Sequence, residues 1–320
     1  MSAPAAFLTL PATGNPLAVT SRAEWEPLFA QAPWPHFTQS WAYGEGKRAE
    51  GWQVERLVIP DAGGPVALCQ LLVKRPLGIP ITRINRGPVF LRDRPSRATQ
   101  LGVLRTLRRR WRFGMRGLLL MAPSLPMDDE SVALMREAGF IRRKDSGWAS
   151  SFINLQQPLE DLFRGLAPDW RTKIRRAEKL GVTLRVRGDA AAIDWLLDRH
   201  VENMRSKNFT GPSPEFVRSV VGAGAHDFRL LQAMIAGQPE AGLLVGRFGQ
   251  HAENFIAWFS ETARRATAGN YLMWNSVIEM QRIGCRTLDL GGFSVSDRYG
   301  HFKRGMRGEE YRLAGEWLAF

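Results

Sequence analysis

Apolar positions along the chain change period repeatedly, and each change predicts an element. A strand with loops is expected in the first twenty residues, a helix from the N-cap Ser21 to before Pro33, and a second after Ser40, weakened by Gly44 and Gly46. WQVERLVI and PVALCQLLVKR, separated by the turn-forming PDAGG, read as antiparallel strands. A basic helix over 97–112 is expected to end at Gly114. GLLLMAP then reads as a buried strand, DDESVALMREAGF as a capped helix closed by Gly139, and GWASSFINL as another strand. The ingredients recur in the second half. Helices are expected over 161–166 and 169–180, the latter closed by Gly181, with a strand over 182–186. The stretch Ala190 to Met204 places Ile193, Leu196, Leu197, Val201 and Met204 on one buried face. Ser213-Pro214 opens another helix, strands follow near 228–235, 241–248 and 252–259, and a helix over 270–283 is closed by Gly284 before RTLDL runs into Gly291-Gly292.

This order predicts an α/β (α+β) fold of two tandem units, 1–150 and 151–320, with 310–320 able to pack back on the first. A cleft between them is the default binding site. No fixed-period repeat or low-complexity linker is visible in the sequence.

Composition narrows the chemistry. With 320 residues, 44% hydrophobic content, 11 Trp and 17 Phe, the chain has ample material for packed cores and is not a disordered tail. A net charge of +13 points to an anionic partner, whether nucleic acid, a nucleotide-linked substrate or a membrane surface. Seven lysines against thirty-seven arginines leave open that a general preference for Arg supplies part of that charge. Cys69 and Cys285 each lie in apolar segments and supply no disulfide framework or metal-ligand spacing. The first charged residue is Arg22 and no apolar run approaches a membrane span, so the expected location is the cytoplasm, with peripheral contact at the inner membrane face left open.

Two segments carry candidate chemistry. In DWRTKIRRAEKLG, Trp170, Ile174 and Ala177 share a face that can dock on a core. Arg171, Arg175 and Lys179 form a ridge turned away from it, with Lys173 and Arg176 beside them. The ridge is either a solvated face or, as favoured here, an anion-binding one. In the second segment, Ala268-Gly269-Asn270-Tyr271 opens a helix whose first backbone N–H groups suit an anion or a carbonyl. Asp289 is delivered to the Gly291-Gly292 turn, and His301-Phe302-Lys303-Arg304-Gly305 follows. A lysine ammonium is a compact charge suited to a developing oxyanion, although a surface lysine beside a buried Phe is the commoner meaning of such a pair. Asp289 is read as tying the turn backbone, His200 as structural, and His301 as a minor catalytic candidate. GxSxG, HExxH and GxxxxGK[ST] are all absent from the sequence.

FTQSWAYGEGK, NRGPV, WRTKIRRAEKLGV, the block from AWFSETARRATAGNY to RTLDLGG, and GHFKRGM together, in this order over nearly the whole chain, resemble the FemABX family. These are aminoacyl-tRNA-dependent peptidyltransferases built from two GNAT-like subdomains. The resemblance implies that Lys303 stabilises the tetrahedral intermediate and that Lys47 and Arg86 hold acceptor anions. It also implies that Arg171, Lys173, Arg175 and Arg176 follow the donor tRNA, while Gly269, Asn270 and Tyr271 contribute to donor binding. No long helical arm is present in the pattern, so the similarity is to compact members. The family's phosphate-assisting Arg before a Pro falls at Gly211, leaving Arg205 or Lys207 to take that part and pointing away from a UDP-sugar peptide acceptor. The pyrophosphate loop of ordinary acetyltransferases is at best the degenerate RATAGN at 265–270, which weakens a conventional acetyl-CoA site. The implied activity moves an aminoacyl group from aminoacyl-tRNA to an anionic, amine-bearing acceptor, a peptidoglycan precursor or another metabolite. No metal or other cofactor is expected. The alternatives are an N-acyltransferase using acyl-CoA or acyl carrier protein, and a non-catalytic RNA-binding module. The module would need exposed aromatics, whereas Trp258, Phe259 and Trp274 fall where a core would use them.

Overall fold

The computed structural model describes residues 15–110, 117–144, 148–292 and 298–319. The expected ends of the first strand region, near residue 1, and of the basic helix, at Gly114, lie outside these residues. The chain divides into two units, one reaching Trp148 and resuming at Arg312, the other Ala149–Tyr311.

The first unit opens with β1 (Leu17–Ala18), α1 (Arg22–Phe29), α2 (Trp41–Ala49), β2 (Gln53–Asp61), β3 (Gly64–Lys74), β4 (Ile81–Asn85) and β5 (Val89–Phe90). It continues through α3 (Arg97–Arg110), β6 (Leu118–Ala122), α4 (Asp129–Glu137) and β7 (Ile141–Lys144). The second unit comprises β8 (Ala149–Asn154), α5 (Leu159–Gly165), α6 (Pro168–Lys179), β9 (Thr183–Arg187), α7 (Ala190–Lys207) and α8 (Pro214–Gly224). Then come β10 (Phe228–Ile235), β11 (Gln238–Phe248), β12 (His251–Phe259), α9 (Glu261–Arg265), α10 (Ala268–Arg282), β13 (Thr287–Asp289), α11 (Arg298–Arg304) and β14 (Glu309–Arg312). Strand β15 (Glu316–Ala319) closes the chain within the first unit.

Helix starts follow local chemistry. The side chains of Ser21, Ser40, Asp128, Asp189 and Ser260 each accept a backbone N–H of the first turn of α1, α2, α4, α7 and α9. The glycines expected to weaken α2 have a packing reason. A Cβ on Gly44 would lie 2.3 Å from the side chains of both Arg56 and Gln70, a buried polar pair that closes on the helix. Arg56 is bonded to Gln70 at 2.8 Å and to Glu45 at 2.9 Å, and burial pulls its pKa down to about 10. Helix α7 runs on to Lys207. Its buried face is Ile193, Leu196, Leu197 and His200, while Val201 and Met204, expected on that face, are only partly covered.

The first sheet has the order β1-β2-β3-β4-β6-β15-β7, with β5 on β3, and it turns parallel only at β4–β6. Helices α3 and α4 cover it through Leu104, Leu107, Leu134 and Met135, packed with Leu57, Cys69, Leu71, Met121 and Trp317. The second sheet has the order β14-β8-β13-β12-β11-β10-β9, and its parallel pair is β12–β13. Helices α6 and α10 pack on it through Trp170, Ile174, Leu272, Met273 and Val277 against Leu243, Val245 and Leu288. Among the described residues no helix is long and apolar enough to cross a membrane.

Candidate functional site

Strand β12 keeps its parallel partner for only three pairs, His251–Thr287, Ala252–Leu288 and Glu253–Asp289. It then continues to Phe259, while the chain leaves β13 through Gly291. On its other side the register shifts, so that Leu244 faces Ile256 and Val245 faces Asn254, leaving Phe255 as a bulged residue. A bulge bends and twists the strand locally and so re-aims its side chains. Here it falls where β13 ends. Gly291 is required at this point, because its φ is +78° and a Cβ there would stand 2.6 Å from the carbonyl oxygen of Asn254.

Lys303 meets that turn. Its side chain is only 6% exposed, and its Nζ donates to the carbonyls of Gly291 at 2.7 Å and Gly292 at 3.0 Å. Asp289 accepts from Ser150 Oγ at 2.5 Å, from the Gly291 N–H at 2.8 Å and from the Tyr311 hydroxyl. It therefore acts as the brace of the turn, with its oxygens engaged. His301 is exposed on α11. Two positions from Lys303 on a helix it points about 200° away, so the two do not act as a pair.

The FK pair is welded to the basic helix. Phe302 packs on Trp170 with ring centroids 4.7 Å apart, Ala167 N–H donates to the Gly305 carbonyl at 3.0 Å, and a Cβ on Gly305 would fall 2.0 Å from Trp170 Nε1. The structure corrects the expected ridge. Arg171 folds back, and its Nη1 donates to the carbonyls of Arg164 at 2.7 Å and Leu166 at 2.5 Å, closing the end of α5. Lys173 pairs with Asp169 at 3.0 Å and Arg175 lies over the Phe163 ring, so Arg176 and Lys179 are the cations of this group that stand exposed without such contacts among the described residues.

Helix α10 begins beside these residues. Thr267 takes a left-handed conformation and its hydroxyl donates to the Lys173 carbonyl at 2.7 Å. Gly269 lies 3.5 Å from Phe259 and 3.6 Å from Phe302, measured from where its Cβ would be. Tyr271 is half-buried, and burial, then Glu178, raises its pKa. Asn270 is buried, and its Nδ2 has no hydrogen-bond partner among the described residues. The same holds for Asn254 Oδ1 and Ser151 Oγ. Asn254 and Ser151 escaped sequence reasoning, because an Asn in an apolar strand and a Ser at a strand start carry no motif. A cavity of about 270 Å³ lies elsewhere in this unit, beside β8, α5 and α10, and shares no lining residue with the Lys303 turn.

In the first unit, Lys47 and Arg86 both act on Tyr43, which lies inside FTQSWAYGEGK four residues before Lys47. Lys47 pairs with Glu50 at 2.7 Å and lies over the ring of Tyr43, whose hydroxyl accepts from Asn85 at 3.5 Å. Burial pushes the Tyr43 phenol up to about 12. Arg86, at φ +49°, is 5% exposed and stacks on Trp148 at 4.1 Å. Arg205 and Lys207 stand exposed at the end of α7, where partial burial and the charge of Arg264 lower the pKa of Lys207. Trp258 is half-buried, edge-on to Trp195 at 5.8 Å with Arg199 over both rings, so it is less of a core residue than its position in the strand implies.

An acetyltransferase (GNAT) domain model matches residues 167–304, the span from the start of α6 to the end of α11. The fold class is that of two tandem GNAT-like units, the second of which carries the acetyltransferase domain match. Within that class the architecture is FemABX-like. The crystal structure of FemX superposes with a TM-score of 0.80 over 95% of this chain and 96% of that one, at 14% identity. L-PGS from Bacillus licheniformis gives 0.57 over 94% and 91%, at 12% identity. A tandem GNAT protein from the clavulanic acid biosynthesis pathway gives 0.52 over 95% and 98%, at 15% identity. No curated protein matches the sequence.

Proposed function

We propose that the protein forms amide bonds by moving an aminoacyl group from aminoacyl-tRNA to the amine of an anionic acceptor. The observation that carries this reading is the buried Lys303 ammonium, held on the Gly291-Gly292 carbonyls where β13 leaves β12. An aminoacyl ester is already activated, so the reaction needs alignment and charge rather than a nucleophile from the chain. Alignment lowers a barrier by up to about 7–11 kcal/mol, and one placed oxyanion donor by about 3–4 kcal/mol.

In the step, the neutral acceptor amine attacks the donor carbonyl carbon and a C–N bond forms. Negative charge gathers on the carbonyl oxygen near Lys303. The C–O bond to the ribose then breaks, and the proton lost by the amine ends on the departing ribose oxygen. Lys47 and Arg86 hold acceptor anions, with Arg205 and Lys207 as further cations, and the exposed Arg176 and Lys179 meet donor phosphates. A thioester donor, coenzyme A or acyl carrier protein, is the second reading. The acetyltransferase domain match favours it, and the same atoms balance with sulfur as the leaving atom.

The test is a donor panel of charged tRNAs, acyl-CoAs and acyl carrier proteins with mixed amine acceptors, read by product mass. Nuclease-sensitive turnover supports the tRNA donor and nuclease-resistant turnover the thioester. Tight RNA binding without turnover from any donor overturns both in favour of a binding module.

A further inference from the structure

Three buried polar atoms of the second unit, Ser151 Oγ, Asn254 Oδ1 and Asn270 Nδ2, have no hydrogen-bond partner among the described residues. Asn254 is 7% and Asn270 5% exposed, and leaving a buried polar group unmatched costs about 1–3 kcal/mol. Their placement is coherent. Asn254 Nδ2 donates to Met273 Sδ at 3.4 Å, and a thioether only accepts, so the free end of this amide is its oxygen. Asn270 lies one turn before Met273 on the same face of α10, and its free atom is the donor Nδ2. The carbonyl oxygen of Asn254 abuts Gly291, which holds Lys303. An acceptor on the stretch of β12 beyond its pairing with β13 and a donor on α10 are therefore both shielded from water.

From this arrangement we infer that Asn254 and Asn270 form a subsite that selects a donor carrying an α-nitrogen. Asn254 Oδ1 accepts from the α-amino group and Asn270 Nδ2 donates to an oxygen of the same aminoacyl unit. The inference rests on the donor reading above and sharpens it, since a plain acetyl group offers nothing to Asn254 Oδ1. It would leave that oxygen buried and unmatched, which is how a polar site rejects a ligand lacking the matching group.

The test uses unreactive ligands differing only in that nitrogen, glycyl against acetyl. Each is offered on a tRNA acceptor stem through a 3′-amide and on a coenzyme A analogue with methylene in place of sulfur. The full-length protein is expected to bind the glycyl form at least about tenfold tighter on the carrier it uses, the scale of one buried hydrogen bond. Asn254→Leu erases the preference and leaves acetyl affinity within about twofold, whereas Asn254→Asp, which keeps an acceptor, retains it. Asn270→Leu weakens both ligands. Asn254→Leu melts at or above the wild-type temperature, because the lost amide oxygen had no partner; a lower melting point with the preference intact would mark a structural residue and overturn the inference. Tight but equal binding of glycyl and acetyl overturns the subsite and leaves the donor reading standing. Binding of neither ligand on either carrier overturns both.

Discussion

An ammonium survives burial only if the hydrogen bonds lost to water are replaced, and Lys303 replaces two of them with carbonyls of a glycine turn. Those carbonyls fix where the charge sits, which suits a group that must meet an oxyanion as it forms. Lys303→Ala is expected to lower kcat by about 10²–10³ with donor Kd nearly constant, and Lys303→Arg not to restore it, because a planar guanidinium does not fit a point-charge site. Single-turnover rates with separate binding measurements check this, and an unchanged kcat would remove Lys303 from the mechanism. His200 supplies a different residue-scale prediction. Burial lowers its pKa below the usual 6.5, against the opposing contact of Nε2 with the Pro212 carbonyl at 3.1 Å. The unfolded chain then binds a proton more readily than the folded one, so this contribution to stability is present above the unfolded pKa and is lost as pH falls through the depressed folded value. Wild type should lose more melting temperature between about pH 7.5 and 5.5 than His200→Gln does; equal losses would mean that His200 takes up its proton equally in the folded and unfolded states.

At the scale of elements, the weld between α6 and the FK turn decides how the site is held. Gly305→Ala drives a Cβ into Trp170 and is expected to cost about 1–3 kcal/mol and to displace Lys303, lowering kcat as well. Gly165→Ala, at the end of α5 where nothing lies within 4 Å, is the matched control and should leave both quantities near wild type. Calorimetry and turnover on the pair read the contrast. The basic helix gives a further prediction. Arg176→Glu with Lys179→Glu should weaken tRNA binding and flatten its salt dependence, whereas Arg171→Glu should chiefly destabilise the fold, since Arg171 closes α5. These elements show what a sequence can display. The buried row Trp170, Ile174, Ala177 repeats on a helical period, and Gly181 closes α6 at φ +75°, so the helix was legible. The fate of Arg171 was not, because it depends on the carbonyls left free by a neighbouring helix. Nor was Asn254, since the bulge at Phe255 arises from a strand register that no local pattern encodes, whereas Tyr43, Lys47 and Glu50 fall at helical spacing on α2 and its cap.

Across the whole molecule, each unit has its own sheet and core, and the first is completed by the last strand of the chain. β15 lies inside the first sheet, antiparallel to both β6 and β7, with Trp317 fully buried and its Nε1 bonded to the Ala314 carbonyl at 3.0 Å. Glu316, beside it, pairs with Arg83 and Arg143. The sequence admits a return of 310–320 to the first unit, but a four-residue strand carries no signal for which two strands it will separate. Truncating a fully buried Trp removes its apolar area and leaves a cavity, at about 3–5 kcal/mol. Trp317→Ala should therefore release amide hydrogen-exchange protection in β4, β6 and β7 while β10, β11 and β12, which share no strand with that sheet, keep theirs. Exchange rising equally in both sheets would instead show that the two units open as a single cooperative body, and that the last strand stabilises the Lys303 turn as much as its own sheet.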